Sequence, residues 1–315
     1  MGAFDSKTRL EFRKLLCATG WDIMDKTDGV LSHYTSTSGL MGILDGQTLW
    51  FTDYKFLNDS SEGEILWDII DELYATTNNY SSAFISALKE VKETQSISLY
   101  KEERLKYERY SYFVCSFSEN PDSLTMWNYY TKSTNSSGYN IIFDKRSLLN
   151  SILEKNEFID YDFSLVRVIY DKEKQVECVK RILDFFNPLW VKSRSKRRTH
   201  LIGELYYLLQ SICLGFKHHA YKDEHEVRIV LQLTSDECAE RLMETSADLN
   251  SIQLRPVKNM FVPYIALRID KNTITTVVTS PYIKDKLASA SVYALLDKNH
   301  LFHTKVRESD IPVRY

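Results

Sequence analysis

The chain has 315 residues, of which 43% are hydrophobic, 10 are glycine and five are cysteine, and its net charge is -3. That is enough apolar material for one large core or two small ones, and nothing in it calls for a disulfide scaffold. No apolar run approaches the ~18 residues of a spanning helix and no secretory leader is recognisable, so the reading is a cytoplasmic protein. Its scattered thiols, Cys17, Cys115, Cys178, Cys213 and Cys238, lack Cys-x-x-Cys spacing and are expected to be reduced.

In chain order, residues 5 to 28 read as a leading helix with its amphipathic part from Glu11 to Leu16. Ser32-His33-Tyr34-Thr35 then reads as a short buried strand turning into a helix over Ser36–Gly46, with polar aromatic groups where alternation expects greasy ones. An imidazole buried without a partner costs a few kcal/mol, so His33 is either a satisfied core histidine or a contact for a ligand at the sheet's edge.

Residues 61 to 110 read as helical, broken at Thr76-Thr77-Asn78-Asn79. Tyr112–Ser118 is rich in aromatic and β-branched residues and reads as a strand; its alternation puts Ser116 and Ser118 on one face and Phe117 on the other. Met126, Trp127 and Tyr130 follow at helical spacing, a pattern that serves a core as readily as a stacking platform.

Lys192-Ser193-Arg194-Ser195-Lys196-Arg197-Arg198 carries five cations in seven residues. It is either a solvated loop before the helix near His200–Tyr207 or a dock for a phosphate-rich partner. In Tyr221–Leu231, a period of two groups Glu224, Glu226 and Arg228 and sends His225 inward with Val227 and Ile229. Paired carboxylates repel unless a cation or ligand offsets them, and Arg228 is the cation at hand. His218-His219 beside these acids invites a metal, but the spacing has neither the His-x-x-x-His nor the His-Glu-x-x-His form, and no metal site is expected.

Strands are expected over 111–118, 139–144, 164–170, 225–233 and 274–279. Without regular βαβ alternation the fold class is α+β. There is no repeat, no low-complexity tract and no G-x-G-x-x-G, so a dinucleotide held in a Rossmann manner is not expected.

These motifs resemble the bacterial family of unknown function DUF2971. The resemblance rests on His33-Tyr34-Thr35 with its following helix, Gly46-Gln47-Thr48-Leu49-Trp50-Phe51-Thr52, Leu57–Glu62, Cys115-Ser116-Phe117-Ser118, Met126-Trp127-x-x-Tyr130, Gly138-Tyr139-x-Ile141-x-Phe143 and Tyr221-x-x-Glu224-x-Glu226-Val227-Arg228, and spans about residues 29 to 283. The family in turn is similar to the ADP-ribosyltransferase fold, a split β-sheet core in which three separated strands place a His or Arg, a Ser-x-Ser or a Tyr, and a Glu around a nicotinamide dinucleotide; here His33, Ser116-x-Ser118 and Glu226 stand in that order.

The resemblance implies an N-terminal helical extension over 1–28 and one domain over 29–315, with helical insertions near 61–110 and 171–220. It implies NAD as a substrate, held by His33, Tyr34, Thr35, Ser116, Ser118 and Tyr130. Glu226 would stabilise the oxocarbenium-like ribose and Glu224 would orient or deprotonate the acceptor. The acceptor would be a protein or a nucleic acid, the latter docking on Lys192, Arg194, Lys196, Arg197 and Arg198. Such chemistry fits a toxin or anti-phage effector held by an inhibitory partner, with no membrane role. The alternatives are a non-catalytic nucleotide- or nucleic-acid-binding module and a metal-dependent nucleic-acid-processing enzyme.

Overall fold

Stretches rich in β-branched and aromatic residues form the strands, and short polar caps start the helices between them. The computed structural model describes residues 21–22, 28–57, 62–100, 110–130, 138–156, 163–243, 250–283 and 285–313. The leading helix expected over 5–28 lies outside the described residues, except that Trp21–Asp22 form a strand, β1, and not a helix. Asn58–Ser61 also lie outside them.

The order is β2 (Val30–Ser36), α1 (Thr37–Gly46), β3 (Thr48–Asp53), α2 (Glu62–Thr76), α3 (Ser82–Tyr100), β4 (Tyr110–Ser118), α4 (Leu124–Tyr130), β5 (Gly138–Asp144) and α5 (Lys145–Lys155). Then come β6 (Phe163–Arg167), α6 (Lys172–Val191), α7 (Ser195–Cys213), β7 (Glu226–Thr234), α8 (Ser235–Met243), β8 (Ile252–Val257), β9 (Met260–Arg268), β10 (Ile274–Thr279), α9 (Lys286–Lys298) and β11 (Lys305–Glu308). Ser36, Asp144, Asp171 and Asp285 cap α1, α5, α6 and α9 by accepting from early backbone amides, which satisfies donors that a helix cannot satisfy itself.

The fold is mixed α+β, built on one large open sheet. Strand β4 is its seam. Along one edge β4 pairs antiparallel with β7 from Tyr110↔Thr234 to Ser118↔Glu226. On the other edge it meets two different strands: Ser118 pairs with Ser32 of β2, while Val114 and Phe113 pair with Thr52 and Asp53 of β3. Beyond its single β4 contact, β2 runs with β5 and on to β10 and β11, whereas β3 runs with β9 and β8. The sheet therefore splits between β2 and β3, and residues 115–117 of β4 face the split.

One face of the sheet packs on α1, α5 and α9 through a core that includes Phe51, Phe113, Phe117, Phe143 and Phe163. At roughly 1.5–3 kcal/mol per large buried apolar side chain, this face holds the two halves together and leaves the opposite face free to carry polar groups. Helices α2, α3, α6 and α7 share a second core of their own, including Leu66, Phe84, Ile182 and Leu209.

Candidate functional site

Cross-strand partners share a face of a sheet, and side chains two apart on a strand do the same. The pairs Ser118↔Ser32, Ser118↔Glu226, Ser116↔Arg228, Thr52↔Val114 and Thr52↔Tyr264 therefore gather Ser32, Tyr34, Trp50, Thr52, Ser116, Glu226 and Arg228 on the polar face. A cavity of about 850 Å³ opens at the split, lined from the β2 side by His33, Tyr34 and Thr35 and from the β4–β7 side by Ser116, Glu224, Glu226 and Arg228. Gly39 of α1 also lines it, and a Cβ there would lie 2.0 Å from Thr35 Oγ1, so a larger residue would require the Thr35 side chain to move.

His33 projects toward the core face, its ring centroid 5.6 Å from that of Phe117, and closes the split from that side. Its Nδ1 lies 3.0 Å from the Ser116 carbonyl oxygen, one of the backbone groups the split leaves without a strand partner. A carbonyl only accepts, so Nδ1 carries the hydrogen. Burial lowers the His33 pKa and the carbonyl bond only partly opposes it, so the ring is neutral and Nε2 keeps its lone pair.

Tyr34 contributes its ring to the cavity, but its hydroxyl is committed. It donates to the Asn120 carbonyl at 2.9 Å and accepts from the Ser123 amide at 2.9 Å, while the ring stands edge-on to Trp127. Tyr34 thereby holds the turn before α4, which sets Tyr130 against the cavity. Burial, then Glu224 and Glu226, raise the Tyr130 pKa, which places its phenol beside the acids.

The acidic pair differs from the expected arrangement. Glu224 is not on the strand: it ends a 3-10 turn over His219–Glu224, and His225 then takes a left-handed conformation at φ 45 before β7 begins at Glu226. This reversal breaks the period of two, so His225 is exposed and does not point into the core. The two carboxylates are instead brought together by Lys217, whose Nζ lies 2.7 Å from Glu224 Oε2 and 3.0 Å from Glu226 Oε2. Glu226 also accepts from Arg228 Nε at 2.8 Å, from Arg228 Nη2 at 3.0 Å and from the Ser116 hydroxyl, which fills the roughly four lone-pair positions of a carboxylate.

Burial works to raise the Glu226 pKa, but Arg228, Lys217 and Ser116 outweigh it and bring it to about 2. The Glu224 pKa is raised, chiefly by burial, with Lys217 opposing, and its Oε1 has no partner among the described residues. The site thus sets a carboxylate held in its ionised form beside one whose pKa burial raises.

Several expected contacts are not made. Ser118 is fully buried: its hydroxyl donates to the Glu224 carbonyl at 2.6 Å and accepts from the Asn120 amide at 3.1 Å, so it braces the turn and does not line the cavity. The basic run is a loop only over Lys192–Arg194, and its second half is already helical. Lys192 follows α6 at once, α7 starts at Ser195, and Arg198 donates to the Trp190 and Val191 carbonyls at 3.1 and 2.8 Å while lying over the Trp190 ring. Arg198 therefore ties off α6, whereas Lys192, Arg194, Lys196 and Arg197 are exposed, and none of the five lines the cavity.

Among the described residues no cluster of His, Cys, Asp and Glu could hold a metal. His218 accepts from the Ala220 amide and stacks on His219, and the place between the two carboxylates where a cation would sit is taken by the Lys217 ammonium. Lys217 and Arg255 line the cavity without having been singled out, and Trp50 and Thr52 do so although the sequence marked them only as carriers of the resemblance. Lys217 carries no local signal, because its partners lie seven and nine residues away across a turn.

A family described as "Protein of unknown function (DUF2971)" matches residues 126–229, a shorter span than the motif resemblance covers. The match runs from α4 into β7 and includes Tyr130, Lys217, Glu224, Glu226 and Arg228, but not His33, Ser116 or Arg255. No curated protein and no solved structure matches the chain. Among the described residues no helix is long and apolar enough to cross a membrane.

Proposed function

We propose that the chain is an ADP-ribosyltransferase that consumes NAD and modifies a protein or a nucleic acid. The observation that carries this reading is the split sheet. Its cavity has a neutral imidazole, its Nε2 unpartnered among the described residues, on one wall and a pinned carboxylate on the other, and its size lies within the roughly 300–1,000 Å³ of ligand sites.

In this reading His33 Nε2 accepts a hydrogen bond from a ribose hydroxyl, and Tyr130 and Tyr34 border the nicotinamide. The bond between nicotinamide nitrogen and ribose C1′ breaks, and its electron pair leaves with the nicotinamide. The positive charge that grows on the sugar is stabilised by Glu226, which needs no reorganisation because its partners already hold it ionised. The acceptor atom bonds to C1′ and its proton passes to Glu224 Oε1, the open oxygen of the group with the raised pKa. A toxin or phage-defence setting with an inhibitory partner accords with such chemistry.

A second reading has its own observation. The Glu226 carboxylate is saturated, and with Glu224, Lys217 and Arg228 it forms a group of zero net charge, which suits a binding module without turnover. The purified protein incubated with NAD is expected to release nicotinamide, read by chromatography. Binding without release over hours, with and without cell extract as acceptor, would assign the chain to the second reading.

The acceptor class is tested at the α6–α7 corner. Replacing Lys192, Arg194, Lys196 and Arg197 by Glu is expected to leave NAD cleavage in the absence of acceptor unchanged, since these residues lie outside the cavity. If nucleic acid docks there, each lost phosphate contact lowers the salt dependence of binding by about one ion. A variant that keeps the parent's affinity and salt slope would point to a protein acceptor.

A further inference from the structure

The cavity has a second charged wall, built by the β3–β9–β8 half of the sheet. Arg255 of β8 projects across β9 toward β3, where its Nη2 donates to Thr52 Oγ1 at 3.0 Å. The guanidinium carbon lies 5.4 Å from the Trp50 ring centroid and 6.0 Å from that of Tyr264, and the two rings are 4.5 Å apart. Arg255, Thr52 and Trp50 all line the cavity.

Arg255 differs from the other cations there. Lys217 and Arg228 are each neutralised by carboxylates, but the groups whose charges act on Arg255 are Tyr264 and Cys115, both neutral near pH 7, and no carboxylate pairs with it among the described residues. Its Nε is buried and has no hydrogen-bond partner among the described residues. A guanidinium stays charged, so an unpaired and partly desolvated one is costly to keep. An anion in the cavity would repay that cost, and the rigid fork of Arg suits the paired oxygens of a phosphate. Trp50, 47% exposed and packed on this cluster, leaves an aromatic surface beside it on which a base can stack.

We infer that Arg255, with Thr52 and Trp50, forms the phosphate subsite of the cavity and binds the diphosphate of a nucleotide at the wall away from Glu226. The nucleotide source of the phosphate rests on the proposed transferase reading; the anion site itself does not. Bound this way, a dinucleotide would span the split, with its phosphates on the β3–β8 half and its reacting ribose between His33 and Glu226.

The test is titration of ADP-ribose, ADP, inorganic pyrophosphate and adenosine, by calorimetry, into the parent and into Arg255→Gln and Arg255→Lys, with thermal melting as the check on folding. The three phosphate ligands are expected to lose about 10- to 100-fold in affinity in Arg255→Gln and less in Arg255→Lys, while adenosine is unchanged. The inference is overturned if the parent binds none of the phosphate ligands, if their affinities survive in Arg255→Gln, or if adenosine loses as much as ADP. If either variant fails to fold, Thr52→Val, which removes the hydroxyl that fixes the fork, should weaken ADP and not adenosine, and unchanged ADP affinity there counts against the site. ADP binding that depends on Arg255 without NAD cleavage would sink the transferase reading and leave the subsite standing. Cleavage of NAD with an unchanged KM in Arg255→Gln would do the reverse.

Discussion

Glu226→Gln is expected to destabilise the protein by about 3–5 kcal/mol before any effect on chemistry is read. The residue keeps its shape but gives up the charge that compensates Arg228, 1% exposed, and Lys217, 6% exposed. Glu224 alone then faces two buried cations. Such a loss is a large fraction of the roughly 5–15 kcal/mol that holds a typical domain together, and should lower Tm by on the order of 10 °C.

The charge-balanced variant Glu226→Gln with Lys217→Met removes one charge of each sign and should recover a large part of that loss. Nicotinamide release is then read in the balanced protein: a fall of about a hundredfold or more assigns Glu226 to the transition state, and parent-like release assigns it to the fold. The same group predicts acid sensitivity. The Glu226 pKa is held at about 2 against 4.5 for a free glutamate, so its contribution is fully present above 4.5 and is lost as pH falls from there through 2. A Glu226→Gln protein that melts like its parent would show that the ion pairs contribute nothing net.

The strands that carry polar interruptions were legible because their pattern is local. β4, β5, β7 and β10 fall within a residue or so of the expected spans, and His33, Ser116 and Glu226 all line the split. The long-range pieces were not legible. Nothing near Thr48–Asp53 or Arg255 indicates that β3 and β8 belong to one half-sheet, since their link through β9 joins residues about two hundred positions apart.

Alternation also failed at one residue. The left-handed His225 takes Glu224 off the strand, and a reader who extends β7 backward by one turn misplaces both side chains. Ser118 was assigned to the ligand wrongly for the opposite reason. Its alternation was read correctly, yet a hydroxyl on the ligand face next to a tight turn is used up by that turn, as the bonds to Glu224 and Asn120 show.

His33→Gln is expected to weaken ADP-ribose binding by about 10- to 100-fold, and its pH profile separates a ligand role from a structural one. In the parent, Nδ1–H is committed to Ser116 and Nε2 is an acceptor only while the ring is neutral. Burial depresses the folded-state pKa below 6.5, so the sign is fixed. As pH falls below 6.5 the unfolded chain takes up the proton first and stability declines, until the folded ring is protonated too. At that point Nε2 turns from acceptor to donor and faces the ribose hydroxyl with an added positive charge. Binding by the folded parent should therefore stay flat from pH 8 through 6.5 and fall only once the pH reaches the depressed value of the folded ring, whereas His33→Gln should bind weakly at every pH without that step. Glu224, whose pKa burial also raises, is controlled by repeating the profile in Glu224→Gln, where the step should persist. If the step vanishes with Glu224 and survives the loss of His33, the imidazole only closes the split by bonding to Ser116, and the ribose is held elsewhere in the cavity.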